Sequence, residues 1–309
     1  MTLAGSKRET PIRGMLALVF FVALVVRVLN LMLSPLSIDM VLVEDAPIYW
    51  DGAGVLLDHS VFGRIVASGA IIPETERVPG YPVFLAGLRW LFSDSLPAIL
   101  FAQGVLDSLT CLMIAVIGAQ VSRSLALLAG LSAAFWVNLI IHSAMILSDS
   151  LFLFFMTAML AAAAHFLRTA SLGSVALAGL SLGLALATRS AAQFLPFLML
   201  PAAIGVPLYR LRGATVAAIA AVLFLVLSLL PVSPLVYRNL TQFDTVAMSS
   251  QTGTHLTGWL VPLVRRAADG TPRALGAAEL RKSIEQRIES EGLLEADATP
   301  FQRSAVLRH

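Results

Sequence analysis

Long apolar runs, each interrupted by only one or two polar positions, alternate with short polar breaks along most of this chain. A membrane-crossing helix needs roughly 20 mostly apolar residues to cover a hydrocarbon core about 30 Å thick. The pattern predicts such spans at about 14–34, 96–120, 125–145, 149–167, 174–190, 192–209 and 214–233. Between Ser190 and Tyr237 the only charges are Arg210 and Arg212, which read as a basic turn joining two spans. Tyr81 to Phe92 is too short to cross and carries Arg89, so it reads as a helix at the membrane interface, as does part of 46–58. The predicted fold is therefore an all-α integral membrane bundle of about seven spans, with interfacial helices in its first outer loop.

Composition agrees with the pattern. Of 309 residues, 58% are hydrophobic and 13% charged, and the mean hydropathy of +0.84 lies outside the soluble range. Lys7, Arg8 and Arg13 precede the first apolar run, which is longer than a secretory h-region and lacks a small-residue cleavage site, so it reads as an uncleaved span. The formal charge of +2 and the scattered arginines argue against a nucleic-acid partner. A single cysteine, Cys111, leaves neither a disulfide framework nor a cysteine metal site. Of the 21 basic residues only Lys7 and Lys282 are lysine, a bias that together with abundant alanine suggests a GC-rich bacterial source.

Charge sets the expected orientation, because short cytoplasmic loops are enriched in Lys and Arg. With residues 1–13 in the cytoplasm, Arg123, Arg168, Arg210 and Arg212 also fall inside. The loop 35–95, the turn at Asp149, the turn at Thr188-Arg189-Ser190 and the polar segment 241–309 then fall outside, making 14–240 the membrane domain of a bacterial inner-membrane protein. Within the polar segment, alternating charges over Ala277 to Ser290 predict an amphipathic helix.

The outer face so defined collects Glu44, Asp45, Asp51, Arg77, Asp149, Arg189 and Arg238. Carboxylates can serve as a general base toward an acceptor hydroxyl, and guanidiniums bind phosphate through a planar donor fork. Together they point to group transfer from a phosphorylated lipid. Loop acids are also ordinarily just solvated, and arginines at span ends snorkel to headgroups. For Asp149 the plainer alternative is a helix N-cap. Asp107 lies near the centre of a span with Gln103 one turn earlier, a placement equally suited to interhelical hydrogen bonding. His142 has no second His or Cys at ligand spacing, so no metal is expected there.

The order of motifs carries a resemblance. It runs from Asp45-x-x-x-Tyr49-x-x-x-Ala53 through Arg77-Val78-Pro79-Gly80-Tyr81-Pro82-Val83-Phe84-Leu85-Ala86 and Ala102-Gln103. Leu147-Ser148-Asp149-Ser150-Leu151-Phe152, Ala187-Thr188-Arg189 and Pro234-Leu235-Val236-Tyr237-Arg238-Asn239 follow. This series resembles the bacterial GT-C glycosyltransferases of family 39 type, relatives of protein O-mannosyltransferases and the lipid A aminoarabinose transferase, over about residues 14–260. The resemblance implies a multi-span GT-C bundle, a polyprenyl-phosphate sugar donor used on the outer face, and Asp45 as catalytic base. Two positions depart from the family pattern: Ala46 stands where many relatives have a second acid, and Leu235 where Trp is common. Family members also continue through further spans, so the resemblance implies that the chain, which stops in "FQRSAVLRH" without a helix-stop signal, is truncated at its C-terminal end.

The mechanism expected from this is sugar transfer to an outer-face lipid, glycan or protein. Asp45 deprotonates the acceptor, while Glu44 or Asp149 orients acceptor or base. Arg189 and Arg238, with Arg77, hold the lipid phosphate; Tyr49, Tyr81 and Asn239, which lie in the same motifs, are expected to line the acceptor pocket. Arginines alone can balance a monophosphate, so neither metal nor cofactor is expected. Asp51 reads as the solvated side of the interfacial helix. The rival class is a transporter or flippase subunit, which would place paired charges and broken helices at mid-membrane; a third reading is an inactive fragment.

Overall fold

A computed structural model describes residues 12–34, 41–42, 45–66, 68–251, 260–290 and 300–302. The chain divides into two compact units. The first comprises residues up to Ile72 together with Pro79–Pro231, and the second comprises Pro73–Val78 with the chain from Val232 onward.

The first unit is helical apart from one small hairpin. Its elements are α1 (Ile12–Leu33), α2 (Ala46–His59), the short strands β1 (Gly63–Ile65) and β2 (Ile71–Pro73), α3 (Gly80–Phe92), α4 (Leu96–Ala119), α5 (Arg123–Ala134), α6 (Val137–Ser143), α7 (Asp149–Thr169), α8 (Leu172–Thr188), α9 (Leu195–Tyr209) and α10 (Ala214–Leu229). Four stretches are long and apolar enough to cross a membrane: α1, α4, α7 and the helical run Ala214–Phe243. These are the helices of a multi-pass membrane protein. Seven spans were expected, and three of them differ. The span at 125–145 is broken into α5 and α6, bent by 54°, and would make a fifth if the pair crosses as one. The helices α8 and α9 have 17 and 15 residues. At about 1.5 Å of rise per residue, both fall short of a core roughly 30 Å thick.

The centre of this unit is α4, which packs against α1, α5 and α7. Large apolar side chains on the other faces, among them Phe21, Val25, Leu29 and Met32 of α1, are exposed as lipid-facing residues must be. Farther along, α8 packs between α7 and α10. Gly179 and Gly183 of α8, four residues apart and so on one face, abut α10: a Cβ on either would come within 2.7 Å of a backbone oxygen, of Phe224 and Leu227 respectively. Without a hydrophobic drive between helices in lipid, close approach at small residues is what holds such pairs.

The break between α5 and α6 has an identifiable cause. The Ala134 carbonyl, freed where α5 ends, accepts from the Arg27 guanidinium of α1, as does that of Ala133, which also takes the Trp136 N–H at 3.2 Å; Arg27 Nε donates to Asp107 Oδ2 of α4 at 2.7 Å. A cation suits the negative end of a helix, and a polar side chain entering the hydrogen-bond ladder is one of the few things that kinks a helix sharply. Both charged side chains are only 1% exposed. Asp107 thus neutralises the charge that caps the break, while Gln103 bonds elsewhere.

Both segments expected to lie at the interface are helices, α3 beginning one residue before the expected start. Arg89 of α3 ties them together, donating to the Trp50 carbonyl of α2 at 2.7 Å, lying 4.2 Å over the Trp50 ring and pairing with Asp94 at 2.5 Å. Asp51 is exposed, as expected of the solvated side of α2.

In the second unit, residues 73–78 run against α11 (Ser233–Phe243) and the loop that follows it. The Ser250 backbone N–H donates to the Thr75 carbonyl at 2.8 Å, and the Ser249 hydroxyl to that of Glu76 at 2.6 Å. The amphipathic helix expected at 277–290 is part of a longer one, α13 (Arg273–Ser290), preceded by α12 (Val261–Asp269).

Candidate functional site

Asp149 and Arg189, 40 positions apart, form an ion pair, with Arg189 Nη1 2.6 Å from Asp149 Oδ1. Local structure presents both. Asp149 is the first residue of α7, where a carboxylate meets the positive end of the helix. Arg189 stands in extended backbone just past the end of α8, before a single 3₁₀ turn at Ser190–Ala192. Neither residue is sealed in, at 33% and 41% side-chain exposure, so a ligand can reach the pair. The N-cap alternative for Asp149 does not hold: Ser148 occupies that position, and its hydroxyl bonds to Tyr49 and not to the helix.

The pair lines a cavity of about 690 Å³ bounded by α4, α5, α6 and α7. Ligand sites typically measure roughly 300–1,000 Å³. Most of its wall is apolar, including Ile114, Leu139 and Phe152, with Asn138 and His142 adding polar groups. The broken helix contributes directly, since Ala133 and Trp136 at the break also line it. Irregular backbone at membrane depth is tolerated where it faces such a space.

A polar network underlies the turn that carries Asp149. The Tyr49 hydroxyl of α2 lies 3.2 Å from the Ser148 hydroxyl. Tyr49 and Tyr81 meet edge to face with ring centroids 4.9 Å apart. The Tyr81 hydroxyl donates to Gln103 Oε1, and Gln103 Nε2 donates to the Met145 carbonyl at 2.9 Å. Burial first, then Tyr49 and Asp149, push the Tyr81 phenol well above its ordinary pKa, so it stays a donor. Gly80, next in the chain, permits the approach of α3 to the end of α8: a Cβ there would overlap the Ala187 carbonyl and lie 2.8 Å from the Thr188 nitrogen.

The expected site residues therefore fall into three groups. Asp149, Arg189, Tyr49 and Tyr81 lie in one neighbourhood. Asp45 opens α2 one turn before Tyr49, its carbonyl accepting the Tyr49 N–H at 3.2 Å, and it is not part of the cavity wall. Arg77, Arg238 and Asn239 belong to the second unit. There Arg238 donates to the Glu74 carbonyl and to Asn239 Oδ1, both at 2.7 Å, and Asn239 Nδ2 donates to the Ala247 carbonyl at 2.7 Å. Glu44 lies outside the described residues.

Sequence reasoning missed Glu74, whose buried carboxylate accepts the backbone N–H groups of Glu76 and Arg77 and so shapes the segment before Gly80. No hydrophobic period marks it. The Arg27–Asp107 pair did leave a signal, since these are the two charges deepest in the apolar runs and they have opposite sign.

Neither models of known protein families nor curated protein sequences match this chain.

Proposed function

We propose that this protein is a membrane glycosyltransferase that moves a sugar from a polyprenyl monophosphate carrier to a hydroxyl acceptor on the outer face of a bacterial inner membrane. The observation that carries this reading is the accessible Asp149–Arg189 pair on a largely apolar cavity. A cation beside an apolar space suits a phosphate attached to a hydrocarbon chain. Asp45 takes the acceptor proton as the acceptor oxygen attacks the anomeric carbon. The bond from that carbon to the phosphate oxygen breaks with its electron pair, and Arg189 stabilises the charge gathering on the departing monophosphate. In-line attack inverts the anomeric centre. Asp149 holds Arg189 in place.

The test is sugar transfer from a polyprenyl-phosphate donor by purified full-length protein. Asp45→Asn is expected to lower turnover by about 10²–10⁴-fold, the usual range for loss of a general base. Turnover like that of the wild type would remove Asp45 from the mechanism. Arg189→Gln is expected to cost about 10²–10³-fold, as for loss of one donor to a developing oxyanion. A loss confined to KM would limit Arg189 to ground-state binding.

A second reading, a transporter or flippase, is favoured by the 54° break in the α5–α6 pair and by the buried Arg27–Asp107 pair that caps it. Substrate accumulation in sealed vesicles with the carrier lipid chemically unchanged would select it over transfer.

A further inference from the structure

A short amphipathic helix ordinarily turns its apolar stripe toward the protein and its charged side toward water. In α12 the arrangement is reversed. Leu260, Leu263 and Val264, with Ala267, share one face at three- and four-residue spacing, and all four are exposed. The opposite side is the engaged one: Pro262 is buried, and Arg265 pairs with Glu279 of α13 at 3.1 Å. Arg266 lies on one border of the apolar face and is exposed.

We propose that α12 lies in the bilayer–water interface, with Leu260, Leu263 and Val264 in the acyl boundary and Arg266 on anionic headgroups. Three features select lipid as the occupant. The apolar face is continuous and open in a chain that already crosses the membrane. It is bordered by Arg266, whose long stem lets the guanidinium reach headgroups while the helix sits below them. And α12 follows the last candidate span, Ala214–Phe243, in the chain. Helices of this build bury their apolar face about 5–10 Å into the headgroup boundary and bind more firmly to anionic lipid. The inference does not depend on the transferase reading.

The test uses the full-length protein in phosphatidylcholine vesicles with and without phosphatidylglycerol, in a Cys111→Ala background. Single spin labels are placed at Leu263→Cys, Val264→Cys and Asp269→Cys, the last on the polar side. The labels at 263 and 264 are expected to be relaxed by oxygen, which partitions into lipid, and spared by a water-soluble nickel reagent, with the reverse at 269. Adding phosphatidylglycerol is expected to deepen the first two, and Arg266→Gln to remove that shift. Labels at 263 and 264 relaxed by nickel as strongly as at 269 would overturn the proposal. So would labels shielded from both reagents, which would mean that protein covers this face. Having two reporter positions keeps the result readable if one variant fails to fold.

Discussion

Arg27→Leu is expected to destabilise the protein by about 3–5 kcal/mol, the usual cost of removing one partner of a buried ion pair. Asp107 is fully buried, and its Oδ1 already has no hydrogen-bond partner among the described residues, so losing Arg27 would leave the whole carboxylate without compensation. Asp107→Leu should cost a similar amount by stranding the guanidinium. The double variant Arg27→Leu/Asp107→Leu should be markedly better than the sum, because no buried charge remains. It should still fall below the wild type, since the Ala134 carbonyl at the helix break loses the Arg27 donor at about 1–3 kcal/mol of desolvation, while that of Ala133 keeps the Trp136 N–H. Arg27→Lys is expected to rescue only in part, because an ammonium lacks the planar fork that reaches Asp107 and the helix end together. Reversible unfolding in mixed micelles measures all four proteins. Strict additivity of the two single variants would show that the pair is not the unit that stabilises the break.

How much of this was legible beforehand follows from where each signal resides. Apolar runs report local burial in lipid, so α1, α4, α7 and α10 were readable from pattern alone, as was the 13-residue α3 from its length and Arg89. Charge placement brought Asp149 and Arg189 to one expected face, although nothing in 40 intervening residues specifies that the two side chains touch. The break after α5 was not legible, because Ala134-Phe135-Trp136-Val137 contains neither Pro nor Gly. Its cause is a tertiary contact with Arg27, more than a hundred residues earlier in the chain. In the segment 241–309 the alternating charges made the helix at 277–290 legible, whereas average composition hid the sided distribution in α12, where Arg266 borders a continuous apolar face.

Gly80→Val is expected to impair the site more than any other single change on α3 while leaving every charged group in the sequence untouched. Gly80 sits at the first turn of α3, where its α-carbon faces the backbone of Ala187 and Thr188 at the end of α8. The neighbour is main chain, which cannot rotate aside as a flexible side chain would, so a branched residue must push the two helices apart. Overpacking of this kind costs about 1–3 kcal/mol. The displaced segment leads straight into Arg189, whose distance to Asp149 is 2.6 Å and tolerates little movement. Misplacing a group by about 1 Å can cost roughly 10²-fold in rate. Gly87, one helical stretch later on α3, gives the internal comparison: a Cβ there meets nothing within 4 Å. Gly87→Ala should therefore stabilise by about 0.5–1 kcal/mol through helix propensity and leave activity unchanged. If both variants transferred sugar equally well, close approach of α3 to the end of α8 would not be what positions Arg189. If Gly80→Val lost activity but kept its unfolding midpoint, the effect would lie in the placement of Arg189 and not in global stability.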